Sequence, residues 1–113
     1  MSNNLQSCMG KLKIIARIRD LRMRKKILSE IADKCLYKAL NEIAVNTVSK
    51  KVPLNRATKI KLRKYKTQIK ALTRRTKSRR SQKKLVIQSG GFLPLLIPAV
   101  ASILGSIISS INQ

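Results

Sequence analysis

The chain has no histidine and no tryptophan, only 4 acids, and only 2 Tyr and 1 Phe. Without an imidazole, and with Asp20, Glu30, Asp33 and Glu42 confined to one short stretch, the groups that general acid–base and nucleophilic catalysis need are missing. No GxxxxGK phosphate loop stands in for them, so no enzyme is expected. Cys8 and Cys35 are the only cysteines. Neither a CxxC spacing nor a histidine is there to complete a structural zinc set, and no cofactor is expected. The pair reads as two free thiols in a reducing compartment, with one disulfide between them as the alternative. Tyr37 and Tyr65 are too few for a base-stacking platform. The opening "MSNNLQSCMGKLKIIARIRD" carries charges where a secretory signal would have its apolar stretch, so no export signal is expected and the chain is expected to start in the cytosol.

What the chain does have is positive charge. Its 26 Lys and Arg give a formal net charge of +22 over 113 residues, enough to strain a compact state by self-repulsion and to call for a counter-ion partner. A polyanion fits best, because each cation set on a phosphate releases condensed counterions. Nucleic acid comes first and an anionic membrane surface second. Apolar residues, 43% of the chain, are concentrated near the C-terminus, which predicts helices with limited tertiary packing.

The expected fold is mostly α. In "SEIADKCLYKALNEIAVNTVSKK", Ser29 suits an N-cap, and Ile31, Cys35, Ala39, Leu40, Ile43 and Thr47 recur at helical spacing, which predicts a helix from about Glu30 to Val48. Upstream, Leu12, Ile15, Ile18 and Leu21, with Ile14, form a second stripe among basic residues. That amphipathic helix either packs against its neighbour as a helical hairpin over 1–50 or lies on a membrane or nucleic-acid groove. After Pro53, Asn55 can cap a third helix, from about Arg56 to Thr76, whose seam is Thr58, Leu62, Tyr65, Ile69, Leu72 and Thr76.

Residues 51–84 are expected to be this basic helix and an arm. From Asn55 to Lys84 the sequence holds 14 Lys or Arg in 30 residues and no acid. Like charges at i,i+4 weaken such a helix alone, and bound phosphate would relieve them. Contacts to double-stranded DNA are expected from Lys59, Lys61, Arg63, Lys64, Lys66, Lys70, Arg74, Arg75, Lys77, Arg79, Arg80, Lys83 and Lys84. Clustered cations of this kind hold phosphate without reading bases. "TRRTKSRRSQKK" lacks apolar residues and reads as an extended, disordered arm; its paired basic residues also fit a nuclear-import pattern that arises by chance in basic chains.

Residues 85–113 carry no charge. They divide into a Gly-Gly junction, 85–91, and an apolar tail, 92–113. The tail is long enough to cross a bilayer as a helix, although Pro94 and Pro98 break its first turns and Ser102, Ser106, Ser109 and Ser110 dilute it. Ala101 and Gly105 have the small-xxx-small spacing that favours helix association in lipid. A membrane-active or tail-anchored protein is therefore the rival reading. By residue chemistry the glycines of "IQSGGFL" read either as a hinge or as a protease site, since Gly-Gly lets an extended strand enter a narrow cleft.

"KVPLNRATKIKLRKYKTQIKAL" followed by "SQKKLVIQSGGFLPLLIPAVASILGSI" resembles the small basic virion proteins of Polinton (Maverick) elements and adintoviruses. The C-terminal part is similar to the adenovirus mu core protein precursor (pX), in which a DNA-condensing basic segment precedes "GGFLP" and an apolar tail. The resemblance spans roughly Ser29 to Ile108. It implies a late virion protein that condenses double-stranded DNA, found in the virion and, during assembly, in the host nucleus. It also implies processing by an adenain-like cysteine protease, with Gln88, Ser89, Gly90 and Gly91 before the cut and Phe92 after it. Gln88 departs from that family's aliphatic choice, and Ile87 stands one place too early. On this reading the tail, 92–113, would hold the precursor to capsid proteins or a membrane until it is removed.

Overall fold

A computed structural model describes residues 3–101, and among these the chain is helical, with no strand. Helix α1 (Asn3–Arg17) buries Cys8, Met9, Leu12 and Ile15, one face at helical spacing, while Ile14 points outward, 66% exposed. The basic amphipathic helix expected upstream is two helices. Asp20 takes an extended conformation and accepts from the Arg22 N–H at 3.0 Å, which caps α2 (Leu21–Ile31). A short acidic side chain competes for backbone donors in this way and ends the preceding helix.

Asp33 repeats the device. Its Oδ1 accepts from the Leu36 N–H at 2.7 Å, so α3 runs Lys34–Val48 rather than from Glu30. Ser29, the expected cap, lies within α2, where its hydroxyl donates to the Lys26 carbonyl. Helix α3 is the centre of the fold. It buries Leu36, Tyr37, Ala39, Leu40, Ile43 and Ala44, and α1, α5 and α6 pack on it. Its end is closed by Lys50, which adopts the left-handed conformation (φ 63), while the Lys51 N–H reaches back to the Asn46 carbonyl.

Asn55 caps α4 (Arg56–Leu62), its Oδ1 accepting from the Thr58 N–H at 2.8 Å. The expected long helix is interrupted by a 3-10 turn, Arg63–Tyr65, and resumes as α5 (Lys66–Thr73). The turn sits where the Tyr65 ring meets Phe92, centroids 6.0 Å apart. Helix α5 stops three residues short of Thr76 because α3 supplies other partners for its backbone. Asn41 Nδ2 donates to the Leu72 carbonyl at 2.6 Å, and the Tyr37 hydroxyl donates to the Arg74 carbonyl while accepting from the Thr76 N–H. The expected seam is intact: Leu62, Ile69 and Leu72 are buried, and Thr58, Tyr65 and Thr76 half-buried.

Most of the stretch read as an extended arm is helical. Ser78 accepts from the Ser81 N–H and starts α6 (Arg79–Gln88), which is held to the core by Val86 and Leu85, just beyond the charged stretch. A 3-10 turn, Ser89–Gly91, then bends the chain by 86° into α7 (Leu93–Ala101). Pro94 lies in the first turn of α7, where a helix needs no N–H from it, and Pro98 is exposed. Phe92, Leu93, Leu96, Ile97 and Val100 are all at most 2% exposed. The apolar residues expected to stand apart as a tail are thus, as far as Ala101, a large part of the core. This explains why packing is more extensive than composition predicted, and why the Cα radius of gyration is 13.4 Å, close to the ~13 Å of a compact chain of this length. The remaining tail, residues 102–113 with its serines and Gly105, lies outside the described residues.

Candidate nucleic-acid interface

Every one of the thirteen cations expected to contact DNA is exposed. Lys59 and Lys61 lie on α4, Arg63 and Lys64 on the 3-10 turn, and Lys66 and Lys70 on α5. Arg74, Arg75 and Lys77 occupy the segment after α5, and Arg79, Arg80, Lys83 and Lys84 lie on α6. Apart from Ala57 and Ile60, which are exposed, the apolar residues of the same helices turn inward, so one amphipathic pattern fixes both the burial of Leu62, Ile69, Leu72 and Val86 and the outward display of charge.

Packing gathers part of this set into one face. Arg74, Arg75 and Lys84 line a groove between the end of α5 and α6. Arg75 and Lys77 also line a second groove, with Lys34 and Lys38 of α3, and Lys77, Arg79 and Lys83 share a third with Lys34. Shared residues join the three grooves into a continuous basic surface around the N-terminal half of α3. Lys34 and Lys38 were not legible as part of it, because along the chain they stand among acids, between Asp33 and Glu42. Asp33 and Glu42 sit at the same surface, and Asp33 is engaged as the cap of α3.

Lys61 and Lys64 belong elsewhere. They line a cleft with Tyr65, Gly91 and Pro94, and Lys64 Nζ lies 5.0 Å from the centre of the Tyr65 ring. Arg24 also lines that cleft and is the one Lys or Arg withdrawn from solvent, 9% exposed. Its Nε donates to the Gly90 carbonyl at 2.8 Å, and its Nη1 donates to the carbonyls of Ile18 and Arg19 at 2.6 and 3.0 Å. One guanidinium therefore satisfies the chain end of α1 and ties it to the Gly-Gly turn, with carbonyl dipoles as its partners.

That turn is packed tightly. A Cβ on Gly90 would lie 3.2 Å from Leu28 Cδ1, and one on Gly91 would lie 3.0 Å from Tyr65 Cε1. Neither glycine has a positive φ, so their small size, rather than backbone freedom, is what the site uses. Gln88 ends α6 half-buried, Ser89 and Gly90 are buried, Gly91 is half-buried and Phe92 is 1% exposed. In this conformation the five residues of the expected cleavage site are neither extended nor open to a protease cleft.

Among the described residues, no group of three or more His, Cys, Asp or Glu is placed to hold a metal ion. No single described helix is long and apolar enough to cross a membrane; the bent pair Arg79–Gly91 and Leu93–Ala101 passes by length and composition together. No family model matches this chain, and comparison with curated proteins and with solved structures likewise finds no match. The resemblance carried by "GGFLPLLIP" therefore rests on the quoted residues alone.

Proposed function

We propose that this chain is a sequence-nonspecific binder of double-stranded DNA that condenses it as a minor virion core protein, made as a precursor. The observation that carries this reading is that 25 of the 26 Lys and Arg, all but Arg24, are exposed. Charge that the fold does not use internally is charge available to a partner. The continuous face of Lys34, Lys38, Arg74, Arg75, Lys77, Arg79, Lys83 and Lys84 supplies phosphate contacts without a positioned base-reading element.

Eight such contacts give a slope of about −7 for log affinity against log salt, at −0.9 per phosphate neutralised. Titration of labelled duplexes of unrelated sequence, over a series of salt concentrations, is the test. Equal affinity across sequences and a slope near that value support the reading. A slope shallower than about −3, or strong preference for one duplex, overturns it.

Within the same proposal, an adenain-like cysteine protease cuts between Gly91 and Phe92. The fold adds a condition, because the 3-10 turn must open and Phe92 must leave the core before residues 88–92 can extend through a cleft. Cleavage then acts on a chain that is still folding or has been locally opened. The membrane-anchored rival draws less support, since Phe92, Leu93, Leu96, Ile97 and Val100 face the interior. Flotation of the full chain with neutral liposomes, lost on removal of residues 92–113, would favour it instead.

A further inference from the structure

Cys8 and Cys35 are 27 positions apart in sequence, on α1 and α3, yet their Sγ atoms lie 3.3 Å from each other. Neither is in a disulfide, and neither belongs to the basic face. The contact is part of the packing of α1 on α3, with Cys8 in the core and Cys35 against it. A disulfide bond is about 2.05 Å long, so the two sulfurs need to close by only ~1.3 Å, within reach of small rotations about their Cα–Cβ bonds. We propose that Cys8 and Cys35 form an oxidation-responsive pair, converted to an intramolecular disulfide by exchange with a small-molecule disulfide of the glutathione class.

The two thiols have different roles because their surroundings differ. Cys8 is 4% exposed, whereas Cys35 is half-buried and has the Ser7 hydroxyl 3.7 Å from its sulfur. Burial foremost, then the hydrogen bond and charge of Cys35 beside it, pushes the Cys8 thiol up from its ordinary value. Cys35 is the entry point. Its thiolate attacks one sulfur of the oxidant, the oxidant's S–S bond breaks, and one small thiolate leaves and takes up a proton. Cys8 then gives up its proton and attacks the Cys35 sulfur, which expels the second small thiol. Two protein thiols are oxidised, and one small disulfide is reduced to two thiols.

The product staples α1 to α3 without altering a charge. It restricts the unfolded chain far more than the folded one, because the sulfurs are already in contact in the folded state. Oxidation should therefore raise the melting temperature while leaving the salt dependence of DNA binding unchanged. The two readings fail separately.

The test uses the full chain at low concentration in glutathione buffers of rising oxidised-to-reduced ratio, with intact mass, alkylation and peptide mapping as readouts. The monomer should lose two hydrogens, both cysteines should resist alkylation together, and one linked peptide pair should contain Cys8 and Cys35. Its melting temperature should rise by about 14 °C, the shift a loop of this size predicts. Cys8→Ser should instead stop at a glutathione adduct on Cys35 and show no rise. Glutathione adducts alone on the unsubstituted chain, dimers linked between chains, or a melting temperature lowered by oxidation would each overturn the proposal. The mass and mapping readouts need no variant, so poor folding of Cys8→Ser leaves the test decisive.

Discussion

Replacing Phe92 with alanine tests whether the apolar C-terminal residues belong to the fold or merely follow it. The Phe92 side chain is 1% exposed and packs obliquely on Tyr65. Truncating a buried phenylalanine costs about 3–5 kcal/mol. For a chain of this length each kcal/mol lowers the melting temperature by about 4 °C, so Phe92→Ala should melt about 12–20 °C lower. A chain ending at Gly91 loses Phe92, Leu93, Leu96, Ile97 and Val100 together. At about 1.5–3 kcal/mol for each buried side chain, that removes about 7–15 kcal/mol, comparable to the whole stability of a small domain, about 5–15 kcal/mol. Thermal and urea melts followed by far-UV circular dichroism are the assay, with Ile14→Ala as the control because Ile14 is 66% exposed. The truncated chain should retain helical signal only when DNA neutralises its charge, and should show no cooperative transition alone. If Phe92→Ala melts within a few degrees of the parent, or the chain ending at Gly91 unfolds cooperatively near the parent temperature, the tail is an appendage and the reasoning about the core is wrong.

Alanine at Arg74, Arg75 and Lys84 together should weaken DNA binding equally for all duplex sequences and make the salt slope shallower by about 2.7, at 0.9 per lost phosphate contact; an unchanged slope would place the contacts elsewhere. Gly91→Val should lower the melting temperature even without a protease, because its Cβ would lie 3.0 Å from the Tyr65 ring. In a double-mutant cycle with Tyr65→Ala its cost should fall, and strict additivity would remove the clash as the cause. Lys50→Gly should stabilise the chain by about 1 kcal/mol, since glycine takes the left-handed conformation without the side-chain penalty. Asp33→Ala should cost about 1 kcal/mol in urea unfolding by removing the cap of α3, whereas Ser29→Ala should cost less because Ser29 does not cap that helix.

The Gly-Gly turn changes how a processing experiment must be controlled. Valine at Gly91 perturbs the fold as well as any protease cleft, so resistance to cleavage would have two causes. A cleaner comparison digests the parent chain in increasing, sub-denaturing urea. If opening of the turn is required, the rate of the Gly91–Phe92 cut should rise with urea before global unfolding. A rate that is flat until the main transition would tie cleavage to the unfolded chain alone.

Local chemistry was enough to locate several features without the structure. Asn55 as the cap of α4, the seam from Thr58 to Thr76, and the outward display of the cations between Lys59 and Lys84 follow from side-chain type and helical spacing, which act within a few residues. The boundaries that failed were contests between neighbours. Asp20 and Asp33 outcompeted helix continuation at two sites, and Tyr37 and Asn41, remote in sequence, capped α5 before Thr76. Ser78 and Val86 turned a stretch with no apolar residues of its own into the start of a docked helix.

By itself the sequence determined the helical class, the excess of positive charge and its confinement to one side of residue 85, because these depend on composition and on periodicity along the chain. Only the tertiary structure decided what the uncharged residues beyond it do. Composition cannot distinguish an apolar segment that leaves the protein from one that enters its core; that depends on whether a complementary apolar surface exists. Here the inward faces of α1, α3 and α5 form one buried cluster that Phe92, Leu93, Leu96, Ile97 and Val100 share, with Phe92 against the Tyr65 ring. Arg24 bonds the turn that brings them there, and the glycines are small enough to let the turn close. The same packing set Lys34 and Lys38 beside Arg75 and Lys77, and Cys8 against Cys35. These neighbours lie tens of residues apart along the chain, and only packing brings them together.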